Sequence, residues 1–110
     1  MIKLAKELAV DLVFVAPDDP LVLGMADAMQ AEGFMTFGPK KNAAILEGSK
    51  VFSKELMQKY HIPTAEYRVF DKPQEAEAYL KEKNEYPTVI KADGLALGKG
   101  VVIAQNEQEA

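Results

Sequence analysis

The stretch Val89-Ile90-Lys91-Ala92-Asp93-Gly94-Leu95-Ala96-Leu97-Gly98-Lys99-Gly100-Val101-Val102-Ile103-Ala104 places the strongest constraint on the fold. Its β-branched runs flank a segment rich in glycine and lysine, which predicts two adjacent buried strands joined by a connection too long for a two-residue hairpin. Gly94, Gly98 and Gly100 leave backbone N–H groups free of side-chain cover, and Lys99 adds a cation among them, so the segment has the makings of a phosphate cradle. Lys91, inside an otherwise apolar strand, predicts an anionic partner, because burying an unpaired ammonium costs free energy. The same residues also suit a Gly-rich connection with snorkelling lysines. Two common phosphate loops are excluded by spacing. Walker A needs four residues between its glycines and Ser or Thr after the lysine, whereas three separate Gly94 from Gly98 and Gly100 follows Lys99. The dinucleotide fingerprint must open a helix, and this segment opens a strand.

From the start of the chain, Ile2, Ala5, Leu8 and Ala9 fall on one side of an amphipathic helix that ends by Asp11, before a strand through residues 12–16. Asp19 suits an N-cap with Pro20 at the first helical position, which predicts one helix running to about Glu32. Gly33 then supplies a left-handed cap, and residues 34–37 read as a second strand, giving a parallel strand–helix–strand unit. Ligands in such sheets sit at the carboxyl ends of strands, here Ala16 to Asp19 and Gly38-Pro39. A pure helix-capping role accounts for Asp18 and Asp19 equally well.

Gly38-Pro39 and Gly48 bracket a short helix through residues 42–46 and mark a candidate domain junction, after which Ser49 caps a helix over residues 50–60. Lys50 begins that helix where the macrodipole is positive. A cation is locally misplaced there unless a phosphate lies between it and the helix. Residues 67–70 read as a strand, and a helix starts near Asp71 and Pro73 and is stopped by Tyr86-Pro87. His61 reads as a surface or C-cap residue. Asn106 followed three residues later by Glu109 is a helix N-terminus signature one residue before the last position. Both ends therefore look cut.

A length of 110 residues suits one ordinary domain, and 48% hydrophobic content suffices for a packed core. The net charge of −4 argues against a nucleic-acid groove or an anionic membrane surface and favours a small ligand. Without cysteine and with one histidine, thiolate and His-pair metal sites are excluded, so any metal would need oxygen ligands. No run reaches membrane length and no signal peptide precedes the first helix, which makes cytoplasmic the default.

The combination Leu46-Glu47-Gly48-Ser49-Lys50, Ile62-Pro63-Thr64-Ala65-Glu66-Tyr67 and Ile90-Lys91-Ala92-Asp93-Gly94-Leu95 running into Gly98-Lys99-Gly100 closely resembles the phosphoribosylamine–glycine ligase family of ATP-grasp enzymes in purine synthesis. The similarity covers nearly the whole chain, beginning at residues 11–15 and 19–22. It implies an α/β architecture: residues 1–48 as the end of a parallel N-terminal domain with its linker, and residues 49–110 as the first part of the ATP-grasp domain. Implied partners are ATP, glycine and phosphoribosylamine, with Mg²⁺ or Mn²⁺ as cofactor. The implied phosphate contacts are Lys50, Lys91, Gly94, Gly98, Lys99 and Gly100, and the candidate substrate contacts are Pro17, Asp18 and Asp93. Metal ligands and the adenine site are expected beyond Ala110, no catalytic residue is assigned within the stretch, and the piece alone is expected to be inactive. Departures from the family pattern stand at Ala16-Pro17-Asp18, commonly Gly-Pro-Glu, and at Leu97, often Ala. The first weakens any contact from Asp18 to phosphoribosylamine. Other ATP-grasp carboxylate–amine ligases, or a non-catalytic nucleotide-cleft or interaction piece, are the alternatives. The glycine loop is expected to be mobile without nucleotide and ordered with it, because glycine carries the largest backbone entropy.

Overall fold

Gly24 divides what the apolar spacing predicts as one long helix. In the computed structural model, which describes residues 1–96 and 99–110, Asp18–Leu23 and Met25–Ala31 are separate helices, and Gly24 between them is left-handed at φ +95°. The N-cap is Pro17, not Asp19, so Pro20 sits in the third helical position. It is tolerated there because first-turn N–H groups have no intrahelical acceptor.

The chain forms two compact units, Met1–Ser53 and Lys54–Ala110. In the first, the elements are α1 (Ile2–Glu7), β1 (Leu12–Phe14), α2 (Asp18–Leu23), α3 (Met25–Ala31), β2 (Met35–Phe37) and α4 (Lys41–Gly48). β1 and β2 pair in parallel with Val13 opposite Thr36, the expected strand–helix–strand arrangement with its helical segment broken in two. Ala5, Val15, Ala26, Met29 and Ala44 are its buried apolar residues among those described. Gly33 turns the chain at φ +83°, its N–H donating to Gln30 O at 3.0 Å. Gly48 ends α4 rather than breaking the chain before it. A Cβ there would lie 2.9 Å from Val22 Cγ1, so glycine is what permits the close approach of α4 to α2. The N–H of Lys41 donates to Asp27 Oδ2 at 2.7 Å, so α3 caps α4. On the other face, Phe14 and Phe37 stack with ring centroids 4.9 Å apart yet remain mostly exposed.

α5 (Lys50–Lys59) runs from the first unit into the second. It closes as a Schellman motif: Ile62 N–H donates to Met57 O at 2.8 Å and His61 N–H to Gln58 O at 3.3 Å, with His61 left-handed at φ +54°. His61 is thus a C-cap residue, as expected.

Residues 67–70 are not a strand. The segment leading into them is held by side chains of α5: Lys54 Nζ donates to Thr64 Oγ1 at 2.6 Å and to Ala65 O at 3.1 Å, and Tyr67 Oη donates to Gln58 Oε1 at 2.9 Å. Lys54 and Gln58 are four apart on one helix face, so they grip an extended segment that takes no place in a ladder. α6 (Pro73–Lys83) follows, with Pro73 at its first position and Asn84 as a left-handed cap. The helix therefore stops before Tyr86-Pro87, not at it. β3 (Thr88–Lys91) and β4 (Val101–Ala104) pair antiparallel.

These two strands are adjacent but not buried: Val89, Val101, Val102 and Ile103 are exposed and only Ala104 is inside. A two-stranded ribbon has no second layer of its own, so apolar sequence does not translate into burial. At the end of the chain the expected cap forms, since Asn106 Oδ1 accepts from Glu109 N–H at 3.0 Å and Glu109 Oε2 accepts from Gln105 N–H at 2.9 Å. No helix among the described residues is long and apolar enough to cross a membrane.

Candidate functional site

The β3–β4 register decides where the lysines of the glycine loop stand. Lys91 is the last residue of β3 and faces Val101, and beyond that pair Ala92 N–H donates to Gly100 O at 2.8 Å. Lys99 therefore leaves β4 at the same end of the ribbon at which Lys91 leaves β3. Both lysines are exposed, and among the described residues neither forms an ion pair with a carboxylate. The burial that would have forced a partner on Lys91 is absent. Exposed as it is, the Lys91 ammonium is accessible to an incoming anion.

The loop glycines are not equivalent. Gly94 is left-handed at φ +87°, with nothing within 4 Å of where a Cβ would stand. Gly100 has no left-handed backbone, but a Cβ on it would lie 2.6 Å from the Ala96 Cβ and 3.4 Å from the Ala92 Cβ. Lys99 N–H donates to Ala96 O at 2.8 Å, which folds the end of the loop back on itself. Gly98 and Leu97 lie outside the described residues. Asp93 is exposed beside Gly94. Ala92 and Ala96 carry no chemical signal in the sequence, and their part in shaping the loop is visible only once Gly100 is placed against them.

Lys50 is the first residue of α5, as its sequence position predicts; it falls in the first compact unit, whereas the resemblance implies that it opens the second domain. Ser49 precedes it in extended conformation, and its Oγ accepts from Phe52 N–H at 3.0 Å, the N-cap bond. Pro17 and Asp18 stand at the carboxyl rim of the parallel pair. Val15 N–H donates to Phe37 O at 3.0 Å, so β1 and β2 end level, and 16–19 and 38–39 leave the sheet side by side. Asp18 and Asp19 occupy the first turn of α2 without a side-chain cap bond, exposed at the positive end of the helix dipole. A cap made by an aspartate side chain is therefore not what holds this turn. Among the described residues no three of His, Cys, Asp or Glu converge as a metal site.

Comparison with known proteins divides the chain between residues 47 and 48. The N-domain model of phosphoribosylglycinamide synthetase matches residues 1–47, and the ATP-grasp (A) domain model of that family matches residues 48–110. Phosphoribosylamine–glycine ligase of Brucella melitensis is 52% identical over all 110 residues, which cover 26% of that protein. The enzyme of the same name from Archaeoglobus fulgidus is 44% identical over the same span, 23% of its length. Among solved structures, phosphoribosylamine–glycine ligase of Thermotoga maritima superposes with TM-score 0.72 at 36% identity, covering 94% of this chain and 25% of that one. The biotin carboxylase domain of Hydrogenobacter thermophilus 2-oxoglutarate carboxylase, in complex with MgADP, ADP and bicarbonate, superposes with TM-score 0.76 at 27% identity, covering 98% and 24%. The chain spans about a quarter of the length of the curated relatives it matches. Its architecture is the end of a parallel α/β N-terminal domain joined to the first part of an ATP-grasp domain.

Proposed function

The chain belongs to the phosphoribosylglycinamide synthetase family, and from that premise we propose that its residues serve a ligase joining glycine to 5-phosphoribosylamine with cleavage of ATP. The observation that carries the reading is identity near one half over all 110 residues with several phosphoribosylamine–glycine ligases. Residues 1–48 then close the N-terminal domain and its linker, and residues 49–110 open the ATP-grasp domain.

A glycine carboxylate oxygen forms a bond to the γ-phosphorus while the bond from that phosphorus to the β,γ-bridging oxygen breaks and ADP leaves. The amine of phosphoribosylamine then attacks the acyl carbon of glycyl phosphate, and inorganic phosphate departs as the amide forms. The first step is opposed by charge, since an anion must approach an anion. Two unit charges 4 Å apart interact by about 4 kcal/mol at the effective dielectric of a protein surface, so fixed cations beside the phosphates are the remedy. Lys91 and Lys99, exposed at one end of the β3–β4 ribbon, supply two of them, and the N–H groups around Gly94, Gly98 and Gly100 supply donors. Lys50, the first residue of α5, is assigned to phosphate on the family resemblance. Pro17 and Asp18 on the sheet rim, and Asp93 beside the loop, are assigned to substrate. A divalent ion, Mg²⁺ or Mn²⁺, would draw charge from the phosphates. The described residues do not fit it, because no three of His, Cys, Asp or Glu converge among them.

The test is ADP release by the full-length ligase carrying this segment, which requires glycine and phosphoribosylamine together. The 110-residue chain alone releases none above a no-enzyme control. Glycine-dependent release by the chain alone would overturn the division of labour, and a full-length protein indifferent to glycine would overturn the function.

A further inference from the structure

Gly100 needs to be glycine for a reason that Gly94 does not share. Its φ lies outside the left-handed region, so a left-handed torsion is not what the position demands. Space is. A Cβ on Gly100 would fall 2.6 Å from the methyl of Ala96, well inside van der Waals contact, and 3.4 Å from that of Ala92. An alanine methyl has no rotamer that carries it away, so only backbone movement relieves such a clash. The backbone concerned is tied by two short bonds, Ala92 N–H to Gly100 O and Lys99 N–H to Ala96 O, each 2.8 Å.

We propose that Ala96 and Gly100 form a steric latch, methyl against bare Cα, that sets how closely the loop folds back onto the end of the β3–β4 ribbon. Ala92 and Ala96 are thereby positioning residues: they fix the backbone that presents Lys99 beside Lys91. The latch itself is a property of the fold. Its consequence for nucleotide rests on the reading of this loop as a phosphate-binding element.

A four-protein cycle in the full-length ligase tests it: wild type, Gly100→Ala, Ala96→Gly and the double substitution. One readout is independent of ligand, amide hydrogen exchange at Ala92 and Lys99. The other is ADP affinity by titration calorimetry. Overpacking by one methyl is expected to speed exchange at both amides, and to weaken ADP, by about tenfold or more in Gly100→Ala. Removing the opposing methyl makes room, so the double variant should return to within about twofold of Ala96→Gly alone on both readouts. Recovery of folding by Ala96→Gly, if Gly100→Ala proves unstable, counts the same way. Unchanged exchange in Gly100→Ala, or a double variant as perturbed as Gly100→Ala, overturns the latch. Wild type that binds no ADP while exchange follows the cycle would retain the latch and remove the phosphate reading, so the two fail separately.

Discussion

Replacing Lys91 with alanine in the full-length ligase isolates the charge that the loop offers to an anion. Lys91 ends β3 opposite Val101, its side chain is exposed, and no carboxylate among the described residues pairs with it. Truncation there leaves neither a cavity nor an orphaned partner, so stability should change by no more than about 0.5 kcal/mol. If Lys91 donates a charge-assisted hydrogen bond to a phosphate oxygen, its loss removes about 1.5–3 kcal/mol. That corresponds to about a 10- to 150-fold fall in kcat/KM. Lys59→Ala is the internal control. Lys59 lies in the last turn of α5 with its Nζ 5.3 Å from the centroid of the Tyr60 ring, so its loss removes a helix-dipole contact and a cation–π contact of about 0.5–1 kcal/mol at an exposed site. That loss falls on the unfolding midpoint and leaves kcat/KM within about twofold. The assay is steady-state ADP release at saturating glycine, with urea unfolding of each variant alongside. Equal effects of the two substitutions on kcat/KM, or a fall in Lys91→Ala that tracks its unfolding midpoint, would refute the reasoning.

Two further outcomes are expected. In the full-length ligase, a non-hydrolysable ATP analogue should slow amide exchange at Asp93 and Gly94, where the backbone turns left-handed with open space around it; rates equally slow with and without the analogue would make Gly94 a turn residue only. The Glu85 carboxylate, 3.3 Å from Lys83 Nζ, raises the Lys83 pKa through hydrogen bond and charge, with smaller help from Tyr79 and Glu66. The contribution of a raised lysine is fully present below its ordinary value of about 10.4 and is lost as pH rises through the folded value. Lys83→Ala should therefore lower the urea midpoint equally at pH 6 and pH 8, and the difference should close only in strong alkali. A difference that closes between pH 6 and pH 8 would assign the effect to another group.

Periodicity reports which faces are apolar, and local turn and cap chemistry is where the sequence sufficed. The parallel pairing of β1 and β2, the left-handed turn at Gly33 and the N-cap at Ser49 all form as the residues predict. The misreadings share a cause. Continuous apolar spacing over residues 19–32 carries no mark of the turn at Gly24, because glycine is tolerated within a helix as well as between two. Residues 67–70 have strand composition, but a strand exists only with a ladder partner, and Lys54 and Gln58 hold the segment leading into them against α5. Burial failed at β3 and β4 for the same kind of reason, since a sequence shows what a face is made of and not what lies against it.

The candidate site repeats that lesson at the scale of single atoms. Three glycines and two lysines in a dozen residues suggest an anion loop, and the structure brings Lys91 and Lys99 to one end of a ribbon where both are exposed. What the composition does not reveal is why each glycine is there. Gly94 is held at φ +87° in open space, so a side chain there would meet backbone strain and no neighbour. Gly100 has no left-handed torsion and a methyl within 2.6 Å of where its own would be, so a side chain there would meet a neighbour and no left-handed strain. The two positions therefore respond to different substitutions. At Gly94 a D-residue satisfies the torsion, whereas at Gly100 relief comes from making residue 96 smaller. The two ends of the loop are therefore constrained by unlike forces, torsion at Gly94 and a neighbouring methyl at Gly100.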